Sequence, residues 1–168
     1  MAYTIGDDGL LDFSGCESDE EKLDQCWDYY YEQLNQAKIT AWDGKLVRGF
    51  NEWAFDHITT GSTNKWDTSL GHDAGFNERR ASCLPLIPLA IQGQLKSHVW
   101  RVLKKKGKGS VVRRVLSVCE IRHEYFIVVL EEDRGRYRFR TAFPSNKEYY
   151  TRCVRGQGTN IGIWGRES

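Results

Sequence analysis

The run Phe126-Ile127-Val128-Val129-Leu130 is apolar without a break. A stretch that short, rich in β-branched residues, fits a strand buried on both faces at the centre of a sheet. Its neighbours in sequence also read as strands. Residues 97–105 and 110–121 flank the turn signal Gly107-Lys108-Gly109, residues 125–131 follow Arg122-His123-Glu124, and residues 136–143 follow Asp133-Arg134-Gly135. In the last of these, Arg136, Arg138 and Arg140 alternate with Tyr137, Phe139 and Thr141, the period-two pattern of a strand with one wet face. Pro144 reads as its end. The connections are short, so the four strands are expected to run antiparallel as a meander.

The rest of the chain supplies cover for such a sheet. Ser18-Asp19-Glu20-Glu21 has the form of a capping box, and Leu23, Cys26, Trp27, Tyr30 and Leu34 follow at helical spacing, predicting an amphipathic helix to about residue 37. Asp43-Gly44 marks a tight turn between residues 39–42 and 45–50. Asn51 caps a short helix in which Ala54 and Ile58 share one face and Trp53 and His57 the adjoining one. Residues 59–76, rich in Gly, Ser, Thr, Asn and Asp, read as a long loop. Two short helices follow, over residues 78–83 and from Pro85 to the stop at Gly93, with Leu84, Ile87 and Ile91 inward. Ser145-Asn146-Lys147-Glu148 is a second capping box, before a Gly-rich C-terminal tail. The expected fold is α+β, with N-terminal helices packed on a four- to five-stranded antiparallel meander. Residues 1–37 form an acidic leader and helix, residues 38–168 the α+β domain, and the whole a single compact unit.

A chain of 168 residues buries enough surface to fold without disulfides or a structural metal. Its five cysteines include no C-x-x-C pair and no Cys/His cluster at zinc-ligand spacing. Free thiols in a reducing compartment are expected, with a Cys16–Cys26 clip as the alternative. The first residues lack a basic and an apolar region, and no apolar run is long enough to span a bilayer. A cytoplasmic location follows, reached in a target cell only if another machine delivers the protein.

Charge divides the chain. Residues 1–33 hold ten acids against one base, Lys22, a balance of −9; the whole chain stands at +1, so the remainder carries +10. A basic half suits phosphate, and an acidic segment can cover it, repel it or bind something else; alternatively both are solvated faces. Arg101, Lys104, Lys105, Lys106, Lys108, Arg113 and Arg114 place seven positive charges in fourteen residues with no acid between them. That hairpin reads either as an RNA-binding surface sensitive to salt or as an edge guarded against sheet-to-sheet association.

No P-loop, G-x-S-x-G or H-E-x-x-H occurs. RNA cleavage needs none of these, nor a metal or cofactor, because the ribose 2′-OH is an internal nucleophile. A base takes its proton, an acid protonates the leaving 5′ oxygen, and cations hold the phosphate. His57 is the first candidate acid or base, or else a helix-border histidine bonded to a carbonyl. Arg79 and Arg80 open a helix, where the dipole does not favour them; they bind phosphate or pair with Asp56 or Glu78. Arg140 and Thr141 offer a cation and a hydroxyl near a strand end, yet share one side only if the strand is bulged there. His72 and His123 are weaker candidates.

The run Phe55-Asp56-His57-Ile58, then Arg79 or Arg80, Leu84-Pro85-Leu86-Ile87 and Ile91, followed by Tyr125-Phe126-Ile127-Val128-Val129 and Arg140-Thr141-Ala142-Phe143, resembles the phage and polymorphic-toxin nucleases grouped with barnase, EndoU, colicin and RelE-type RNases. The likeness spans residues 50 to 145, and the order of its short motifs is the signal. It implies a toxin-like, metal-independent endoribonuclease of phage or bacterial conflict, without a cofactor. His57 would be the helix histidine, Arg79 or Arg80 the helix arginine and Thr141 the strand threonine. RNA, with tRNA among the candidates, and a cognate inhibitor or immunity protein are the implied partners. The competing expectation is a non-catalytic protein that binds a host protein or nucleic acid through its split charge.

Overall fold

The computed structural model describes residues 3–60, 75–121 and 124–165. Side-chain caps set the helix starts by satisfying amides that the first turn leaves without partners. The Ser18 hydroxyl accepts from the Glu21 amide at 3.2 Å and opens α1 (Asp19–Tyr30). Asn51 accepts from the Ala54 amide at 2.9 Å before α2 (Glu52–Thr59), and Asn77 from the Arg80 amide at 3.1 Å before α3 (Glu78–Ser82). Pro85 precedes α4 (Leu86–Ile91), whose inward Ile87 and Ile91 are fully buried. The first helix does not run on to residue 37. After Tyr30 it widens into a π-helical turn, Tyr31–Asn35, which buries Leu34 and lets the Asn35 amide donate to the Phe50 carbonyl at 2.8 Å.

The Asp43-Gly44 turn joins β1 (Ile39–Thr40) to β2 (Leu46–Arg48) as a hairpin. Then β3 (Ser97–Lys106), β4 (Gly109–Ile121), β5 (Glu124–Asp133) and β6 (Arg136–Ser145) pair in succession as an antiparallel meander. The expectation of four to five antiparallel strands is corrected at both edges. Among the described residues the sheet has seven strands in the order β1-β2-β6-β5-β4-β3-β7, and β2 lies parallel to β6. The Gly-rich tail is no loop either: β7 (Thr159–Trp164) pairs with β3 and places Trp164 in the core. Both additions cover the unpaired backbone groups of an open sheet edge.

Two boundaries near the end of β6 also move. The strand passes through Pro144 to Ser145, because β2 pairs with β6 only at Tyr137 and Arg138 and the missing amide costs no ladder bond. Ser145 therefore belongs to the strand and does not cap; its hydroxyl donates to the Asn146 carbonyl, and α5 (Lys147–Tyr149) passes into a π-helical segment, Tyr150–Arg155.

The sheet is buried on both faces, which is why β5 is apolar throughout. Leu34, Ile58, Leu84, Ile87 and Ile91 pack with Leu116, Val128, Leu130, Tyr137 and Phe139 on one face. Trp100, Val102, Val115, Ile127 and Val129 lie under Tyr150 and Val154 on the other. The acidic leader joins the first core through Leu10, Leu11 and Phe13, and the Leu11 amide donates to the Ser82 carbonyl at 2.9 Å. Cys16, Cys26 and Cys83 are free thiols, so the Cys16–Cys26 clip is absent. Among the described residues no helix is long and apolar enough to cross a membrane.

Candidate nucleic-acid site

Helix α2 buries Ala54, Phe55 and Ile58 against the core, which leaves Trp53 and His57, one turn apart, on its outer flank. Their rings stack 5.2 Å apart at 5°. Trp53 is 60% exposed, while His57 is half-buried. The imidazole thus sits at the border between core and solvent, held on one side by an indole.

Strand β6 meets this pair through a bulge. Val129 faces Thr141 and Leu130 faces Phe139, so Arg140 is an extra residue with no cross-strand partner. The burial pattern changes phase there: Tyr137 and Phe139 are buried before it, Ala142 and Pro144 after it. A bulge of this kind lets Arg140 and Thr141 share a side that regular alternation would deny them. The Arg140 guanidinium lies over the Trp53 ring at 5.9 Å, within cation–π range. Its Nε is 3.7 Å from Glu131 Oε2, and Arg113 Nε is 3.9 Å from the same oxygen. The Thr141 hydroxyl is buried without a hydrogen-bond partner among the described residues.

Arg48, Asn51, Trp53, Arg138 and Arg140 line a cleft of about 310 Å³ beside this stack. Gly49 lies in its wall with φ of 100°, and a Cβ there would come within 2.9 Å of Arg138 Cγ and 3.0 Å of the Phe139 carbonyl. Only glycine fits. Glu131 and Arg48 were not singled out by sequence reasoning. Glu131 reads locally as the polar end of an apolar strand, and its position opposite Arg113 exists only once β4 and β5 are paired.

The two helix arginines separate. Arg80 is 6% exposed, with its guanidinium 5.8 Å over the Phe143 ring, and burial pushes its pKa down to about 10. Arg79 is exposed and lines a different cavity, of about 840 Å³, with Asp7, Asp8 and Asp12 of the leader and with Glu78. Glu78 itself pairs with Lys22 at 2.6 Å. Arg79 therefore faces the leader and is not among the residues of the Trp53 cleft.

The basic hairpin is not one surface. Alternation places Arg101, Lys105 and Arg114 on one face and Lys104 and Arg113 on the other, with Lys108 in the turn. Acids supplied by β5 meet two of these charges, Arg113 at Glu131 and Arg114 at Glu132, the latter at 2.8 Å. A linear count of charge misses this because the carboxylates are distant in sequence. The side chain of Lys106, and His72 and His123 altogether, lie outside the described residues.

No protein-family model, no curated protein and no solved structure matches the chain. The site is argued from its own residues. An imidazole and a carboxylate flank one guanidinium, beside an exposed indole and a cleft walled by two further arginines. Such a set can stack a base, neutralise a phosphate and carry protons to and from it.

Proposed function

We propose that this protein is a metal-independent endoribonuclease, a toxin-like effector that cuts RNA by transesterification. The observation that carries the reading is the stack of His57 on Trp53 with Arg140 over the same ring and Glu131 at its guanidinium. Trp53 stacks a base of the substrate, and Arg140 holds the scissile phosphate with Arg113 behind it. Glu131 takes the 2′-OH proton as the 2′ oxygen bonds to phosphorus. His57 gives a proton to the 5′ oxygen as the bond from phosphorus to that oxygen breaks. Thr141 donates a hydrogen bond, and Arg80 is a fixed positive charge beside Phe143. The resemblance to phage and polymorphic-toxin RNases rests on the same histidine and threonine. An inhibitor protein with an acidic surface is the expected complement.

The test is incubation of the purified protein with total tRNA in EDTA, with the new ends analysed. Fragments ending in 2′,3′-cyclic phosphate are expected, formed roughly 10²- to 10⁴-fold more slowly by His57→Ala. Intact tRNA with the wild-type protein overturns the reading. A second reading, non-catalytic binding, is favoured by the contact of Glu131 with both Arg113 and Arg140, which satisfies those charges internally. Intact RNA that is nonetheless bound selects it.

A further inference from the structure

We propose that RNA leaving the Trp53 cleft follows a track of arginines along the outer edge of β6, formed by Arg138, Arg48, Arg136 and Arg134, and does not run over the β3–β4 hairpin. The inference rests on the reading of the cleft as an RNA site. A second cavity, of about 430 Å³, is lined by Arg48, Asp133, Arg134, Arg136, Tyr137 and Arg138. Arg48 and Arg138 also line the Trp53 cleft, so the two spaces form one continuous groove.

Three features make this groove a site for an anion. First, Arg48 and Arg138 stand beside each other in register across the parallel β2–β6 pair. Like charges so placed repel, and a bound phosphate between them offsets that repulsion. Second, the turn into β6 places Arg134 at φ 52° and Gly135 at φ 81°, between the paired residues Asp133 and Arg136. Two successive positive φ values define the hairpin turn that favours Asn-Gly, so an arginine at the first position carries a steric cost that asparagine largely avoids. Local folding gives no reason for arginine there; a charge presented to a ligand does. Third, among the described residues no carboxylate pairs with Arg48, Arg134 or Arg136. The one acid in the groove, Asp133, lies 3.6 Å from Arg138 with both side chains half-exposed. An exposed pair of that kind is weak and exchanges readily for a phosphate.

The spacing fits a single strand. Residues 136, 138 and 140 share one side of β6 at intervals of about 6.8 Å, comparable to the step between successive phosphates of an extended strand. An exposed indole at the end of the groove stacks a splayed base, which a paired duplex does not offer.

The experiment measures binding of a labelled single-stranded RNA of about 12 nucleotides by anisotropy across a salt series, with the cleavage-deficient His57→Ala protein as parent. Three variants of that parent are compared: Arg134→Asn, the triple Arg48→Gln/Arg134→Asn/Arg136→Gln, and the hairpin triple Lys104→Gln/Lys105→Gln/Lys108→Gln. The slope of log K against log salt is expected to fall by about 0.7 for each arginine removed from the groove and to stay at the parental value in the hairpin triple. Arg134→Asn is expected to raise the melting temperature while lowering the slope, which separates lost binding from lost folding. Parental slopes in both groove variants, or losses in both triples, overturn the single track while RNA binding by the parent leaves the proposed function standing. A parent that binds no RNA overturns both and points to an acidic protein as the occupant.

Discussion

A guanidinium that is 6% exposed is an expensive thing to place in a core. Burial pulls the Arg80 pKa down to about 10, and the one aromatic face given to it, Phe143, returns about 2 kcal/mol at best. Replacing a buried charge by a well-packed apolar chain of similar length is often neutral or stabilising by about 1–4 kcal/mol. Arg80→Met is therefore expected to keep or raise the melting temperature while tRNA cleavage falls. A clear drop in melting temperature with cleavage intact refutes a functional reason for the charge. Thr141 follows the same logic with a neutral group. Its hydroxyl is buried without a partner among the described residues, so Thr141→Val, nearly isosteric, should stabilise by about 1 kcal/mol and slow cleavage. Thermal melts paired with cleavage rates decide both.

Helix α2 has only eight residues, too short to persist by propensity, so its packing and its cap hold Trp53 and His57 in place. Asn51→Ala removes the acceptor for the Ala54 amide and should cost about 1 kcal/mol, read as a lowered melting temperature. Because Trp53 stands in the first turn, the same variant should weaken RNA binding more than a cap removed at Ser18 of α1, and an equal effect of the two on binding would contradict the placement. These caps, the Asp43-Gly44 turn and the apolar β5 were legible in the sequence because each is a local signal carried by adjacent residues. The parallel β2–β6 pair, the edge strand β7 and the bulge at Arg140 were not, since each depends on partners far away in the chain. The candidate site divides in the same way. His57 and its neighbour Trp53 follow from helical spacing within α2, whereas Glu131 meets Arg113 and Arg140 only when three strands are in register.

Several protons are locked in by the fold as a whole. Burial raises the Cys26 thiol to about 12 and pushes the Tyr29 and Tyr30 hydroxyls well above their usual range; Tyr137 is raised by burial and by its hydrogen bond to Asp43. These groups stay protonated in the folded chain at pH values where the unfolded chain has lost the protons. Stability should therefore fall as pH rises past about 9 for Cys26 and about 10 for the tyrosines, by about 1.4 kcal/mol per group and pH unit. Arg80, with its lowered value, works the opposite way above pH 10. Melting temperatures between about pH 8 and pH 11 check this, and Tyr137→Phe should flatten the decline.

The leader is bound into the same structure. Leu10, Leu11 and Phe13 are buried, and at about 1.5–3 kcal/mol each their loss is comparable to the 5–15 kcal/mol that holds a domain of this size together. Removing residues 1–17 should thus abolish the cooperative melt, and a truncated chain that melts cooperatively within a few degrees of the full one would contradict this. Its charge is separable from its packing. Asp8 Oδ1 accepts from the Leu10 amide and Asp12 Oδ1 from the Ser14 amide, and asparagine keeps that oxygen. Asp7→Asn/Asp8→Asn/Asp12→Asn should therefore leave the fold intact while removing three negative charges from the cavity that Arg79 lines. Tighter RNA binding by this variant at low salt, converging on wild type as salt screens the charges, is the expected result; unchanged binding would show that the acidic half does not oppose the basic one.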